Sequence, residues 1–277
     1  MTERWQLTAL QLTSSAFPAE NIQQIRSLLA TIPAHRPQLV ALPEGALCFD
    51  GAVDANQQLK EPLGQGYWQQ QIADLAKEFQ IYLLLGTFPT AIAGSDKFAA
   101  SSLLFGPAGE LCADYQKIHL FDADVADGIG SYRESERTAA GSKVTVAALP
   151  GLHLGMAVCY DMRFPGLFQA MVDQGMTVLA LPSAFTTVTG AAHWHTLLRA
   201  RAIETQCFVI APAQTGCHQQ GRKTYGHSLI IDPWGQILAD AGETPGVISV
   251  TIDLTEVTNL RRKMPVQRHQ RFTSELL

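Results

Sequence analysis

Three residue types that can share one hydrolytic reaction stand in this chain at the ends of apolar runs. Cys159 closes Gly155-Met156-Ala157-Val158 and is followed at once by Tyr160-Asp161-Met162-Arg163-Phe164-Pro165. A thiol at the C-terminal end of a strand faces the crevice where open α/β sheets carry catalytic groups, so Cys159 is a candidate nucleophile. The same position also suits an inert core thiol, because free Cys is among the most buried residue types. Glu44 follows Leu39-Val40-Ala41-Leu42-Pro43 and is a candidate base whose pKa partial burial would raise. Lys117 ends Asp114-Tyr115-Gln116 and could hold the charge that develops on a carbonyl oxygen. Taken singly, a Glu or Lys at such a place is more often a solvated residue.

Such residues need strands to aim them. Short β-branched and leucine-rich runs alternate with helical stretches, which is an α/β pattern. The pattern also repeats. Leu39-Val40-Ala41-Leu42-Pro43-Glu44 resembles Val178-Leu179-Ala180-Leu181-Pro182-Ser183, each an apolar run stopped by Pro, which has no N–H for a ladder. Trp68, in the helical stretch Tyr67–Gln80, lies 126 residues before Trp194, in His193–Gln206. Gly109 and Gly235, at two turn-like segments, are separated by the same 126 residues.

Two similar halves, each strand, helix, strand, helix, strand and hairpin, would pack as a four-layer αββα sandwich. In that alignment Cys159 falls opposite Leu12 of a first strand spanning Leu7 to Leu12, Phe164-Pro165 opposite Phe17-Pro18, and Glu44 opposite Ser183. These departures from the repeat are where function is expected. No linker or low-complexity stretch divides the chain, and the segments at Gly94-Ser95-Asp96 and Asp127-Gly128-Ile129-Gly130 read as loops.

With 277 residues, 47% hydrophobic, the chain can build a substantial core. A net charge of −5 offers no basic field for nucleic acid. Met1-Thr2-Glu3-Arg4-Trp5 runs straight into an alternating strand pattern, and no apolar stretch approaches the ~20 residues of a membrane span, so a soluble cytoplasmic protein is expected. Five widely spaced cysteines, an odd number, point to reduced thiols rather than a disulfide framework.

Together, Leu42-Pro43-Glu44, Tyr115-Gln116-Lys117-Ile118-His119-Leu120 and Val158-Cys159-Tyr160-Asp161-Met162-Arg163-Phe164-Pro165 resemble, in order and spacing, the Glu–Lys–Cys motifs of the nitrilase superfamily of carbon–nitrogen hydrolases. The resemblance covers almost the whole chain. It implies one carbon–nitrogen hydrolase domain over 1–277, a nitrilase-like αββα sandwich of two pseudo-symmetric halves, no metal or organic cofactor, and a homodimer or higher homo-oligomer. It also singles out Glu134 as a second glutamate supporting the triad, where the bland reading is a capping carboxylate.

On that reading Glu44 takes the thiol proton and Cys159 attacks an amide carbon. Lys117 and the Tyr160 peptide N–H hold the oxyanion, and water hydrolyses the thioester. A cationic Lys117 is also expected to favour the thiolate.

Within the superfamily the deaminated-glutathione amidase branch shows the nearest resemblance, through Pro182-Ser183-Ala184-Phe185, Ala192-His193-Trp194, Leu197-Leu198-Arg199-Ala200-Arg201 and Tyr225-Gly226-His227-Ser228. ω-Amidases acting on α-ketoglutaramate share the frame. Gly166 departs from the Glu usual in related enzymes. An anionic dicarbonyl substrate would need cationic or amide-donating walls, for which Arg163, Arg222 and Lys223 are candidates, with Ser183 and Phe185 as further pocket residues. Ser183 can equally cap a turn, Arg199 and Arg201 can be structural partners of Glu204, and Trp194 is expected to pack its helix.

Other chemistries are less well supported. His193 and His195 are two apart and cannot form an i,i+4 zinc pair, and Cys217-His218 lacks spaced partners. A Cys–His pair of Cys159 with His119 or His227 would leave the other motifs unexplained. No glycine-rich phosphate loop opens a helix. A silent ligand-binding protein of the same fold is the alternative from another class.

Overall fold

Alternation along the strands sets the layers. In Gln38–Ala41, Leu39 and Ala41 face one way and Val40 the other, and every one of them is buried. Such a strand must be covered on both faces. The structure, a computed structural model, describes residues 3–51, 54–128 and 130–276. Met1, Thr2 and Ile129, parts of two readings above, lie outside them.

The first sheet runs Gly246–Asp253, Arg4–Gln11, Gln38–Ala41, Tyr82–Ala91, Phe98–Phe105 and Leu111–Gln116, with Thr138–Ala139 added beside Phe98–Phe105. The second runs Ile237–Asp240, Leu229–Ile231, Phe208–Ala211, Val178–Ala180, Leu152–Met156 and Val146–Leu149. In each sheet the first three strands of the half are parallel neighbours, and the hairpin strand that follows is antiparallel.

One face of the first sheet, with Leu10, Val40 and Leu83, packs on Ile22 and Ile25 of helix Pro18–Leu29 and Ile72 and Leu75 of helix Tyr67–Phe79. Its other face, with Leu7, Ala9, Leu39 and Leu84, meets the second sheet. That same core continues to Phe168 and Met171 of helix Pro165–Asp173 and to Trp194 and Leu198 of helix Thr187–Thr205. The expected helix–sheet–sheet–helix sandwich is therefore the one formed, and Trp194, 0% exposed, packs its helix as anticipated.

The repeat extends to backbone detail. Helices Tyr67–Phe79 and Thr187–Thr205 both end on a left-handed glutamine, Gln80 at φ 54° and Gln206 at φ 51°. Gly109 and Gly235 have φ 86° and 85°, and their N–H groups donate to Gly106 O at 2.9 Å and Asp232 O at 3.0 Å. Pro18 and Pro165 each open a helix, where a missing N–H costs nothing.

Three boundaries differ. The first strand begins at Arg4 rather than Leu7. Helix Thr187–Thr205 begins six residues before His193, because Thr186 Oγ1 caps it by accepting from Thr189 N at 3.2 Å. Strand Gly246–Asp253, unassigned in the repeat, pairs antiparallel with Arg4–Gln11 and so carries the C-terminal region back into the first half's sheet.

Candidate active site

Strand ends converge on one cleft, at the carboxyl side where α/β sheets place their ligands. Beyond Gln38–Ala41 the N–H of Leu42 still donates to Leu84 O at 2.9 Å, and Pro43 then ends the ladder and releases Glu44. Gly86 permits this turn, since a Cβ there would stand 2.2 Å from the Pro43 carbonyl oxygen. Gln214 Nε2 donates to Glu44 O at 3.0 Å and ties the turn to the second half. Lys117 leaves strand Leu111–Gln116 with its N–H donating to Ala100 O at 2.9 Å and its carbonyl accepting from Gly141 N at 2.8 Å. Cys159 opens the short 3-10 turn Cys159–Arg163 with left-handed backbone, φ 47°, a conformation a non-glycine residue adopts only when its surroundings impose it.

The ammonium of Lys117, 2% exposed, lies 3.0 Å from Glu44 Oε1 and 2.8 Å from Glu134 Oε2. Glu134 is itself fixed by the Phe121 N–H at 2.7 Å. Desolvation alone would lower the Lys117 pKa, but the Glu134 and Glu44 carboxylates, with Cys159, raise it well above its ordinary value. The two carboxylates therefore favour the charged form of the lysine. Cys159 is half-buried beside this group. Burial first, and then the Glu44 carboxylate as a neighbouring charge and hydrogen-bond partner, hold its thiol well above the ordinary range, against the opposing pull of Lys117 and the Ala184 peptide. Lys117 favours the thiolate, as expected, but burial and the Glu44 carboxylate outweigh it. The balance favours the protonated thiol, with the Glu44 carboxylate as its hydrogen-bond partner.

Asp161 is the positioning residue that the sequence reading passed over. It is 0% exposed and accepts from Val158 N and Tyr115 OH at 2.8 Å each, and from His119 N at 3.0 Å. Its Oδ1 also lies 2.7 Å from His119 Nδ1. Burial and this carboxylate raise the Tyr115 phenol far above its usual pKa. His119 further stacks on Phe164 with ring centroids 3.7 Å apart. The only local signal was the Cys-Tyr-Asp order; apart from the Val158 N–H, the partners of Asp161, Tyr115 and His119, lie more than 40 residues away.

Glu44, Lys117, Glu134, Cys159 and Tyr160 line a cleft of about 500 Å³. Of the residues expected to meet substrate, Arg163, Phe185 and Arg222 also line it. Arg163 lies over the Phe185 ring at 5.3 Å, and Arg222 over Phe49 at 4.6 Å and Tyr132 at 5.1 Å. Arg222 Nη2 donates to Ala184 O at 3.3 Å, while its Nε is buried without a hydrogen-bond partner among the described residues.

Ser183 and Lys223 do not line the cleft. Ser183 is 0% exposed and its Oγ donates to Leu181 O at 3.1 Å, the turn-capping alternative. Lys223 is exposed on the short strand Lys223–Tyr225. Neither His119 nor His227 lines the cleft either.

Arg199 and Arg201 serve structure, donating to Gly235 O at 2.8 Å and Met162 O at 3.0 Å, and Arg201 also pairs with Glu204. Gly166 lies bare against the C-terminal segment, where a Cβ would meet Ser274 Oγ at 3.1 Å.

Residues 6–262 match the family model described as carbon–nitrogen hydrolase. The chain is 42% identical to a protein of Yersinia enterocolitica named deaminated glutathione amidase, over 97% of this chain and 93% of that one. It is 34% identical to Omega-amidase NIT2 of Homo sapiens, over 96% of this chain and 95% of that one. Among solved structures, the C. elegans NitFhit protein superposes with a TM-score of 0.88 at 34% identity, covering 98% of this chain and 66% of that chain.

Proposed function

Given that the chain belongs to the carbon–nitrogen hydrolase family and hydrolyses amide bonds, we propose that it is an amidase for deaminated glutathione, working through a Glu44–Lys117–Cys159 triad. The observation that carries the chemistry is the Lys117 ammonium held between Glu44 and Glu134, at 3.0 and 2.8 Å, beside Cys159. Glu44 takes the thiol proton as Cys159 Sγ bonds to the amide carbon, which suits a thiol whose pKa is raised and whose hydrogen-bond partner is the Glu44 carboxylate. The carbonyl oxygen becomes an oxyanion stabilised by Lys117 Nζ and the Tyr160 peptide N–H. Collapse breaks the C–N bond, and the leaving amine, Cys-Gly, takes the proton from Glu44. Water then attacks the thioester, giving its proton to Glu44 and releasing α-ketoglutarate. The proton returns to sulfur. Glu134 keeps Lys117 charged and in place throughout.

A substrate with carboxylates fits the cationic wall. Arg222, with its unpartnered Nε, is the residue suited to receive one, and Arg163 stands beside the nucleophile. The cleft volume of about 500 Å³ lies within the range of small-molecule sites. The reading carries with it one catalytic domain along the chain, a homo-oligomer, and a cytoplasmic setting consistent with five free thiols. Among the described residues no helix is long and apolar enough to cross a membrane.

The relationship to Omega-amidase NIT2 supports a second reading, hydrolysis of α-ketoglutaramate with ammonia as leaving group. Both substrates are to be compared with the native protein and Cys159→Ala. A Cys159-dependent preference for deaminated glutathione is expected; preference for α-ketoglutaramate would transfer the protein to the second reading. Cys159-independent hydrolysis would overturn the triad, and hydrolysis of neither would overturn both substrate readings.

A further inference from the structure

Away from the catalytic cleft the fold gathers three metal-ligating side chains that are distant in the chain. His195 lies on helix Thr187–Thr205, His227 on the turn before strand Leu229–Ile231, and Asp240 at the end of strand Ile237–Asp240. One ligand atom from each lies within 4.8 Å of the others. Asp240 Oδ2 is 3.2 Å from His195 Nε2 and 3.2 Å from His227 Nδ1, so one oxygen faces both imidazoles. Ligands about 2.0–2.2 Å from a tetrahedral zinc-class ion stand roughly 3.3 Å apart, so both carboxylate contacts already have the required spacing. We propose that His195, His227 and Asp240 bind one borderline divalent ion of the zinc class, with water as the fourth ligand.

The surroundings of the carboxylate support this. Ligating carboxylates are usually held by a further hydrogen bond, and the Gly242 N–H donates to Asp240 Oδ1 at 2.8 Å. His227 Nε2 stands 4.0 Å from the exposed Glu243 Oε1, beyond direct hydrogen-bond distance.

The His227 ring is preset. Its backbone is left-handed at φ 54°, its N–H donates to Gly242 O at 2.7 Å, and its carbonyl accepts from Trp194 Nε1 at 2.7 Å. Tyr225 stacks on it at 4.7 Å. Two imidazoles and one carboxylate, without a thiol, select zinc, nickel or copper over calcium and magnesium.

None of the three ligands lines the cleft. The ion would clamp helix Thr187–Thr205 to the hairpin Leu229–Asp240. It is independent of the assigned substrate.

Titration of the full-length protein with Co²⁺ tests the site by its visible spectrum. One equivalent is expected, with tetrahedral d–d bands and no thiolate-to-cobalt charge-transfer band. His195→Ala and Asp240→Asn should each lose affinity by on the order of a hundredfold. Amide hydrolysis by metal-free His195→Ala should match the native rate. A thiolate band, equal affinity in the His195 and Asp240 variants, or no binding by the native protein would each overturn the proposal.

Discussion

Asp161 Oδ1 stands 2.7 Å from His119 Nδ1 and 3.0 Å from the His119 peptide nitrogen, so one buried carboxylate joins the turn bearing Cys159 to the segment bearing Lys117. Cys159 and Lys117 follow strands of different sheets. Their separation is therefore set by this bridge as much as by the strands behind them.

Asp161→Asn keeps the shape but replaces an acceptor oxygen with a donor, opposite groups that themselves donate. A stability loss of about 1–3 kcal/mol is expected in urea unfolding. In addition kcat should fall at least about tenfold with KM nearly unchanged, because Asp161 touches no substrate and acts by holding the triad. A destabilised variant with native kcat would reduce Asp161 to a structural role.

The resting state of Cys159 is open to a pH titration of alkylation. Burial and the Glu44 carboxylate raise its pKa, so the inflection should lie well above the ordinary ~8.5. Removing the carboxylate charge in Glu44→Gln should move the inflection down while turnover is lost. An inflection at or below 8.5 in the native protein, or an upward shift in the variant, contradicts this assignment.

Arg222 and Lys223 are adjacent in sequence, and only the first lines the cleft. A charged hydrogen bond is worth about 1.5–3 kcal/mol, so Arg222→Ala should raise KM for a carboxylate-bearing amide by about tenfold or more. Lys223→Ala should leave KM within about twofold. Steady-state kinetics of the two variants side by side decides the matter, and equal effects would remove Arg222 from the binding wall.

Acid sensitivity should centre on His218. Its Nδ1 is 3.0 Å from Ser14 O, which can only accept, so Nδ1 carries a proton, and in the neutral ring Nε2 accepts from the Thr224 hydroxyl at 2.8 Å. Burial lowers its pKa and the Arg222 charge adds to this, with the Ser14 carbonyl and Asp50 opposing. Below the unfolded value of ~6.5 the unfolded chain binds a proton that the folded chain refuses, so stability falls as pH drops. Urea unfolding at pH 7.5 and 5.5 should show that fall in the native protein and a smaller one in His218→Gln. An equal fall in both assigns the acid sensitivity elsewhere.

Much of the frame was legible along the chain because it depends on short-range rules. Pro43 and Pro182 stop strands wherever they occur, and Gly109 and Gly235 turn the backbone in both halves. The start of helix Thr187–Thr205 was less legible, because the cap at Thr186 lies seven residues before the first residue that the repeat marks. Ser183 illustrates a different limit. A serine after a Pro-stopped strand can face a pocket or its own turn, and only packing against the Ala213 region chose the turn.

By itself, then, the sequence determined the paired αββα halves and the positions of Glu44, Lys117 and Cys159, since strand periodicity and strand ends are local properties of residue type. The tertiary structure decided which distant groups meet. It aimed Asp161 at His119, buried the Cys159 thiol beside Glu44 so that its pKa is raised, turned Arg222 into the cleft and Lys223 out of it, and brought His195 to His227 and Asp240. Those outcomes depend on burial and on distances across the packed sheets, which no spacing along the chain encodes.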